Sequence, residues 1–292
     1  MLVVALVVYV VVVGALLLAI RSRRPDADDA QSRAREDKAG NVIKLALIVV
    51  VPILFVFLLY DFGVARGIGR MPDTSMLTID VTGHQWWWEV VYEDPVPHNI
   101  FRTANELHIP VGQPVRIKLA SRDVIHSFWV PNLSGKKDLI PGHKNELLIR
   151  ADQAGIYRGQ CAEFCGLEHA KMALAVVAES AEDFTKWVEH QREAATLPSD
   201  SLATTGLAVF QTGPCSRCHT VASTGAAGTV GPDLTHFASR MTLAAGTLPN
   251  TRGNLAGWIV DPQTIKPGAK MPANALQPKE LQALLAYLGT LK

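Results

Sequence analysis

The strongest constraint on the fold is an uncharged apolar run over residues 2–20. Only Tyr9 and Gly14 interrupt it, and it is long enough to cross the hydrocarbon core of a bilayer as a helix. A cleaved signal peptide is the alternative. The basic cluster at 21–24 follows the apolar run instead of preceding it, however, and no small-residue cleavage site is present. The run therefore predicts a transmembrane helix.

A second apolar run over residues 42–60 predicts a second transmembrane helix. Lys44 at its start can extend its amine toward the membrane surface, and Pro52 predicts a kink. Between the two runs, residues 21–40 are charged, include a proline and lack apolar periodicity, which is typical of a solvated linker. We therefore expect a two-helix transmembrane hairpin within residues 1–70.

The orientation of this hairpin follows from its basic residues. The 21–40 linker carries six of them, whereas only Arg66 and Arg70 closely follow the second run. The positive-inside rule places the linker in the cytoplasm. The prediction is a multi-pass protein of the cell (inner or plasma) membrane, with its N-terminus and its C-terminal domains on the periplasmic side.

Net charge divides the rest of the chain. Residues 71–200 carry twelve basic against eighteen acidic side chains, and residues 201–292 carry seven against three. The length of 292 residues predicts about two domains, and the high aliphatic content indicates a membrane-embedded part. We expect the acidic and basic regions to attract each other and expect no nucleic-acid partner.

Short alternating segments separated by Gly and Pro follow the hairpin, and regular spacing of this kind favours a β-sandwich or barrel. The predicted strands are Leu77 to Thr82, Glu106 to Ile109, Val115 to Ala120, Val124 to Val130, Asn145 to Arg150 and Ala173 to Ala178. A helix is predicted over 181–197, where Phe184, Trp187 and Val188 share one face and Pro198 ends the pattern.

Soft metal ligands are concentrated near the end of this region. Cys161, Cys165, His169 and Met172 fall within twelve residues, and such donors select copper over calcium, magnesium or manganese. A further imidazole must come from elsewhere, and His126 is the candidate because it lies in an apolar strand. Without the methionine, the same donors would suit tetrahedral zinc. A disulfide between the two cysteines is a third interpretation in an oxidising compartment.

The pattern Cys-x-Glu-x-Cys-x3-His-x2-Met over residues 161–172, preceded by Gly-x-Tyr-x-Gly-Gln at 155–160 and by a distant Ile-His-Ser-Phe, resembles cytochrome c oxidase subunit II. The resemblance implies a cupredoxin-like Greek-key sandwich that holds the dinuclear copper centre CuA. Cys161 and Cys165 would bridge two coppers, His126 and His169 would each bind one, and Met172 would be a weak ligand.

The resemblance assigns three further roles. Glu163 would bind copper through its carbonyl, and its side chain would reach a magnesium at the interface with the catalytic subunit. The run Gln85-Trp-Trp-Trp88 would supply the electron-entry tryptophan at Trp86, although composition alone favours a strand with aromatic core or membrane-interface packing. Family members often place a Glu just before the second helix at a proton path. Asn41 to Leu45 contain none, so we assign the chain no part in proton uptake.

A second chemical unit follows a polar linker at 198–205. Cys215-Ser-Arg-Cys218-His219 is the Cys-x-x-Cys-His pattern of covalent haem c attachment. A dithiol redox pair or half of a zinc site are the alternatives, but the βαβ surroundings of a thioredoxin-like pair are missing. The succession up to a final helix over 278–291 resembles a class I cytochrome c, which implies an all-α domain.

In that family pattern, His219 and Met271 are the axial haem ligands, and the Pro232 carbonyl orients the histidine ring. Methionine ligation raises the haem potential, which suits an electron carrier. Met241 and His236 are rival sixth ligands, but neither has the Lys-Met-Pro context of Met271.

Together these units predict a membrane-anchored multidomain electron carrier. The expected divisions are the hairpin at 1–70, the copper domain at 71–180, a helix and linker at 181–200, and the haem domain at 201–292. The resemblance implies the electron-entry subunit of a respiratory haem–copper cytochrome c oxidase, a proton-translocating oxidoreductase. Its expected partners are catalytic subunit I, subunit III, and cytochrome c or another electron donor.

Two other classes remain open at this stage. A quinol oxidase subunit II keeps the hairpin and the sandwich but would have no reason to retain the copper ligands. A membrane-anchored copper-delivery or electron-transfer protein outside an oxidase complex would explain soft ligands. A delivery protein, however, needs neither a haem nor five converging copper ligands.

Overall fold

The computed structural model describes residues 2–21, 30–69 and 76–292 of the chain. It divides into two compact units, Met1–Met71 and Pro72–Lys292. Residues 22–24 of the basic cluster and the predicted boundary between residues 70 and 71 lie outside the described residues.

The first unit consists of two helices, α1 (Leu2–Arg21) and α2 (Ala30–Gly69). Within the described residues, one helical segment is long and apolar enough to span a membrane, Lys38–Arg66, while the apolar part of α1 at Leu6–Arg21 is shorter. The predicted second span is therefore present. The predicted two-span hairpin stays a prediction.

α2 is longer than the 42–60 run predicts. It begins at Ala30, so the latter half of the segment expected to be a linker is helical. This segment is rich in Ala, Gln, Arg, Glu and Lys, which are good helix formers, and it continues directly into the apolar run. Low hydrophobicity alone did not distinguish a polar helical extension from a linker.

The second unit begins with two five-stranded sheets that pack around one core. The first sheet has the strand order β3-β2-β1-β5-β8, and the second has the order β4-β10-β9-β6-β7. Two pairs, β1 with β5 and β4 with β10, are parallel, and the other pairs are antiparallel. The strands are β1 (Thr78–His84), β2 (Trp87–Tyr92), β3 (Phe101–Ala104), β4 (Glu106–Pro110), β5 (Val115–Ser121), β6 (His126–Trp129), β7 (Lys137–Leu139), β8 (Asn145–Ile149), β9 (Gly155–Cys161) and β10 (Ala173–Glu179).

Alternation of buried and exposed side chains explains why the two sheets enclose one core. In β1 every second residue is buried, and Ile79 and Val81 are fully inaccessible. Trp88 and Phe128, one from each sheet, meet edge-on in this core with ring centroids 6.0 Å apart. The predicted cupredoxin-like sandwich is confirmed.

Helix α3 (Ala181–Arg192) covers one side of the sandwich. Ser180 caps it by accepting a hydrogen bond from the Asp183 amide. Trp187 stacks on the His108 ring at 4.0 Å, and Phe184 and Val188 pack against the same core. The helix ends at Arg192, five residues earlier than its sequence pattern predicts.

The remaining chain forms a helical domain with its own hydrophobic core. Its first and last long helices lie against each other, with Gly206 of one helix facing the Ala283 carbonyl of the other. The predicted all-α cytochrome c domain is confirmed, apart from one short hairpin whose two strands have two residues each. The elements are α4 (Ser201–Thr212), α5 (Cys215–Cys218), β11 (Thr242–Leu243), β12 (Leu248–Pro249), α6 (Arg252–Val260), α7 (Pro262–Ile265) and α8 (Pro278–Leu288).

Candidate functional site

The sandwich brings His126 next to the two cysteines of the soft-ligand loop. Cys161 is the last residue of β9, and it pairs with Phe128 of β6, the strand that His126 begins. The Nδ1 atom of His126 lies 3.9 Å from the Cys161 Sγ, and the two sulfurs of Cys161 and Cys165 lie 3.7 Å apart. All three side chains are buried. Strand pairing thus joins ligands that are 35 residues apart.

The other three predicted ligands surround the same sulfurs. The Nδ1 atom of His169 lies 3.6 Å and the Sδ atom of Met172 lies 3.9 Å from the Cys165 Sγ. The Glu163 carbonyl oxygen lies 3.2 Å from the Cys161 Sγ. The six predicted positions therefore form one cluster at one end of the sandwich.

Asp123 holds the His126 ring in a defined orientation. Its Oδ1 atom lies 2.8 Å from the His126 Nε2, so that the N–H of that nitrogen donates to the carboxylate and the Nδ1 lone pair faces the sulfurs. Gly83 closes the other side, because a Cβ at this position would lie 2.7 Å from the imidazole Cδ2. The sequence interpretation missed Asp123, although a carboxylate three residues before a proposed ligand is a usable signal.

The two thiols differ in their readiness to ionise. The hydrogen bond from the neighbouring Cys165 thiol, followed by the His126 imidazole, lowers the pKa of Cys161. The pKa of Cys165 is raised, chiefly because a second thiolate would lie beside the first. Cys161 therefore ionises readily, whereas Cys165 keeps its proton unless a bound cation replaces it.

This donor set fits a copper pair. Three sulfurs, two imidazole nitrogens and one carbonyl oxygen exceed the four ligands of tetrahedral zinc, and soft sulfur donors favour copper. A separation of 3.7 Å between the cysteine sulfurs is far longer than an S–S bond of about 2.05 Å, and both cysteines are free thiols.

The haem domain contains a cleft at the Cys-x-x-Cys-His sequence. Its walls include Cys215, Cys218, His219 and, from a distant loop, Met271. The carbonyl of Pro232 lies 2.7 Å from the His219 Nδ1 and accepts a hydrogen bond from its N–H, which leaves the Nε2 lone pair available to an iron. Burial lowers the pKa of His219, so the ring is neutral, as metal ligation requires.

Two further observations fit a bound haem. A Cβ on Gly231 would lie 2.6 Å from the His219 ring, so this glycine lets the backbone support the ring. Arg240 is buried in the cleft wall, and its Nε atom has no acceptor among the described residues. A buried guanidinium of this kind suits the carboxylates that a haem carries at its edge. No local sequence pattern marked Arg240.

The rival sixth ligands are directed elsewhere. Both ring nitrogens of His236 lie near backbone carbonyls, at 2.7 Å from Lys292 and 3.1 Å from Glu193. Met241 does not line the cleft, and its amide donates to the Glu106 carboxylate. Met271 remains the candidate for the sixth position.

Trp86 lies between the two candidate sites. Its side chain helps to line the haem cleft, and its indole N–H donates to the Cys165 carbonyl at 3.0 Å. Gln85 donates to the same carbonyl at 2.9 Å. The predicted electron-entry tryptophan therefore contacts the copper loop directly and forms part of the haem cleft.

Comparison with known proteins identifies the family of each of the two domains. Residues 77–180 match the model of the cytochrome c oxidase subunit II periplasmic domain, and residues 203–292 match that of cytochrome c. The periplasmic domain of the oxidase subunit II of Bradyrhizobium japonicum is 34% identical, with a TM-score of 0.39, over 42% of this chain and 97% of that one.

Full-length relatives share both parts. The cytochrome c oxidase subunit 2 of Alkalihalophilus pseudofirmus is 36% identical over 95% of this chain and 80% of its own length. That of Bacillus subtilis is 33% identical over 86% of this chain and 72% of its own length. The matched periplasmic family and the apolar helix make the chain a membrane-anchored protein with extracytoplasmic domains. The chain belongs to the cytochrome c oxidase subunit 2 family and carries a fused cytochrome c domain.

Proposed function

We propose that this chain is the electron-entry subunit of a haem–copper oxidase, taking electrons from an external donor at its haem domain and delivering them through its copper domain to a catalytic subunit. The observation that carries the proposal is the position of Trp86, which lines the haem cleft and donates to the backbone of the copper loop. When bound, haem c and the copper pair supply one-electron redox chemistry. The oxygen-reducing site lies in another subunit.

Each proposed ligand has a specific role. Cys161 and Cys165 would bridge the coppers, with His126, His169, Met172 and the Glu163 carbonyl completing the set. Cys215 and Cys218 would form the thioether bonds, and His219 and Met271 would bind the iron. These assignments rest on the donor separations and on the presence of Cys215, Cys218, His219 and Met271 in the wall of one cleft.

The surrounding residues keep these donors rigid and dry. Asp123 fixes the tautomer of His126, and Pro232 fixes that of His219. Met172 and His126 are fully buried, which excludes water from the copper ligands on the side of the core. Rigid, soft, buried donors suit electron transfer because little has to move when a charge arrives.

Membrane topology and partners extend the proposal. We place α1 and α2 in the membrane as a hairpin beside catalytic subunit I, with subunit III as a further partner and cytochrome c as a donor. Glu163 is exposed at the copper end, where its carboxylate can reach a magnesium shared with the catalytic subunit. Replacing Glu163 with Gln is expected to lower bound manganese, used as a paramagnetic substitute for magnesium, without changing copper content.

Metal analysis and absorption spectra of the purified chain test the central proposal. Two coppers and one covalent haem per chain are expected. A chain that binds only one copper or one zinc would contradict the proposal. So would a chain that carries no haem after expression in a host that attaches haem c. Co-purification with a catalytic subunit and oxygen uptake that depends on the haem domain would separate the oxidase from a copper-delivery or electron-transfer protein outside such a complex.

A further inference from the structure

A buried lysine lies where the haem domain meets the copper domain. Lys266 follows α7, and only 2% of its surface is exposed. Its ammonium donates to three backbone carbonyls, those of Trp86 at 2.7 Å, Lys171 at 2.7 Å and Ala244 at 3.0 Å. The first two belong to the copper domain and the third belongs to the haem domain.

The surroundings of this ammonium are unusual for a buried charge. Within the part of the chain that the structure describes, no carboxylate forms an ion pair with it. Burial lowers the pKa of Lys266 to about 7. Removing an ammonium from water is costly unless all its protons are bonded. The three carbonyls come together only when the two domains dock in one arrangement, so the contact specifies that arrangement.

Further contacts surround the same place. Lys171, whose carbonyl accepts from Lys266, sends its own ammonium across the interface to the Ile265 carbonyl at 2.7 Å. Beside it, the amide of Ala173 donates to the Ala245 carbonyl at 3.0 Å. Ala173 directly follows the proposed copper ligand Met172. The haem domain thus bonds to the backbone at the end of the copper loop.

The turn that supplies these carbonyls has a left-handed backbone. Ala244, Ala245 and Gly246 have φ angles of 53°, 58° and 74°. Alanine seldom adopts this conformation, and it persists where surrounding contacts over-determine it. The Lys266 and Ala173 bonds to Ala244 and Ala245 are such contacts.

We propose that Lys266 is a positioning residue for electron transfer, which holds the haem domain on the copper domain so that Trp86 lies between the two redox sites. The proposal rests on the proposed function for its purpose, but hydrogen exchange measures the docking itself, whether or not electrons pass between the sites. The sequence separation between Lys266 and Trp86 is 180 residues, so this lysine acts between domains and not within its own.

Hydrogen exchange on the purified full chain, as it is isolated, tests the docking. Lys266→Met keeps the aliphatic stem but removes the donors, and Lys279→Met, an exposed lysine on α8, is the matched control. We expect exchange at the Ala173 amide to accelerate by about tenfold or more in Lys266→Met, since each bond from a charged donor is worth about that factor. The Gly231 amide, which donates to Cys218 within the haem domain, should stay as protected as in the parent.

Rapid electron injection into the loaded chain tests the consequence. Haem reduction by a small external reductant should be unchanged in Lys266→Met, whereas reoxidation of the haem by the copper site should slow by about tenfold or more. Copper and haem contents should equal those of the parent chain. Lys279→Met should behave as the parent in both steps.

The outcomes separate two failures. If the parent chain binds no copper pair or transfers no electron between the sites, the proposed function is wrong, and the exchange result still tests the docking. If the parent transfers electrons and Lys266→Met keeps both parental exchange and parental transfer, the role of Lys266 is disproved. Should Lys266→Met fail to fold, Lys266→Gln has only two donor protons on a shorter side chain and cannot satisfy all three carbonyls. A partial loss of amide protection and of electron transfer is then expected, and fully parental behaviour would overturn the proposal.

Discussion

The position of the proposed copper ligand His126 depends on a single glycine beside its ring. Gly83 lies against the imidazole of His126, and any side chain at this position must displace the ring. We expect Gly83→Ala to weaken copper binding and to destabilise the sandwich by about 1–3 kcal/mol, as overpacking of a rigid core does. Copper titration and thermal unfolding measure the two effects.

Gly135→Ala is the control for that substitution. A Cβ on Gly135 would have no atom within 4 Å, so this variant should bind copper as the parent does. Parental copper affinity in Gly83→Ala would show that His126 is not a ligand or that its ring moves freely, and would remove a main support of the assigned site.

The carboxyl group of Asp80 predicts a pH dependence of stability. It is half-buried on β1, and burial, with the nearby Glu93 carboxylate, raises its pKa from 3.8 to about 6. Folding therefore favours the protonated form. The stability that this group contributes is present below about pH 4 and is lost as the pH rises through about 6.

Asp80→Asn should remove this cost. Allowing for solvent screening at a half-buried position, we expect a gain of about 1 kcal/mol at pH 7 and no gain at pH 4. Urea unfolding of the metal-free chain at both pH values measures the difference. Glu189→Gln, an exposed carboxylate on α3, is the control and should change neither value. An equal gain at both pH values in Asp80→Asn would disprove the explanation.

At the scale of elements, close helix packing in the haem domain depends on one glycine. A Cβ on Gly206 of α4 would lie 2.0 Å from the Ala283 carbonyl oxygen and 2.7 Å from the Tyr287 Cβ on α8. Gly206→Ala must therefore separate the two helices. We expect it to destabilise the haem domain by about 3 kcal/mol and to lower haem content, while copper content stays unchanged because the sandwich has its own core.

Gly225→Ala provides the comparison for the helix-packing variant, since nothing lies within 4 Å of its Cβ position. Haem spectra, copper analysis and calorimetry distinguish the two domains. A parallel loss of haem and copper in Gly206→Ala would mean that the domains unfold as one cooperative unit.

Periodicity predicted six of the ten sandwich strands and missed β2, β3, β7 and β9. The six predicted strands are all present, and each begins and ends within two residues of its predicted bounds. β7 has three residues, of which only Leu139 is buried, and β9 exposes Ile156. In β9 the ladder with β10, and not burial, determines the strand.

The candidate site was predictable where spacing and chemistry are local. The loop from Cys161 to Met172 contains five of the six proposed copper ligands, and His126 stands in a recognisable strand. Arg240 and Lys266 could not be predicted, because their partners come from distant segments that only the folded chain brings together. Sequence patterns identify ligands better than the residues that position one domain on another.

At the scale of the whole molecule, net charge explains little of the observed docking. Opposite charges on the copper and haem regions predict attraction, which stays a prediction. Lys270 with Asp123, at 3.4 Å, is an ion pair between the domains, and it is largely exposed on the lysine side. Most of the polar contacts described above end on backbone carbonyls. Salt should therefore affect docking of the two domains less than Lys266→Met does.

The division of the chain into two units predicts that the extracytoplasmic part is independent of the helices. Large exposed apolar side chains are concentrated in α1 and α2, whereas both hydrophobic cores lie within residues 79–291. A fragment over 76–292, exported in a host that attaches haem c, should be soluble without detergent and bind copper and haem in the same ratio as the full chain. Removing the helices should abolish membrane association and assembly with the catalytic subunit, because the proposed anchor is lost.

Gel filtration, metal analysis and haem-to-copper electron transfer in this fragment are the measurements, with the full chain in detergent as the reference. We expect the fragment to transfer electrons from haem to copper at the rate of the full chain, because the contacts of Trp86 and Lys266 lie inside it. We expect it to support no oxygen uptake, because it does not assemble with the catalytic subunit. An aggregated fragment, or one that holds haem but transfers no electron to copper, would mean that α1 and α2 help to build the site and do not only anchor it.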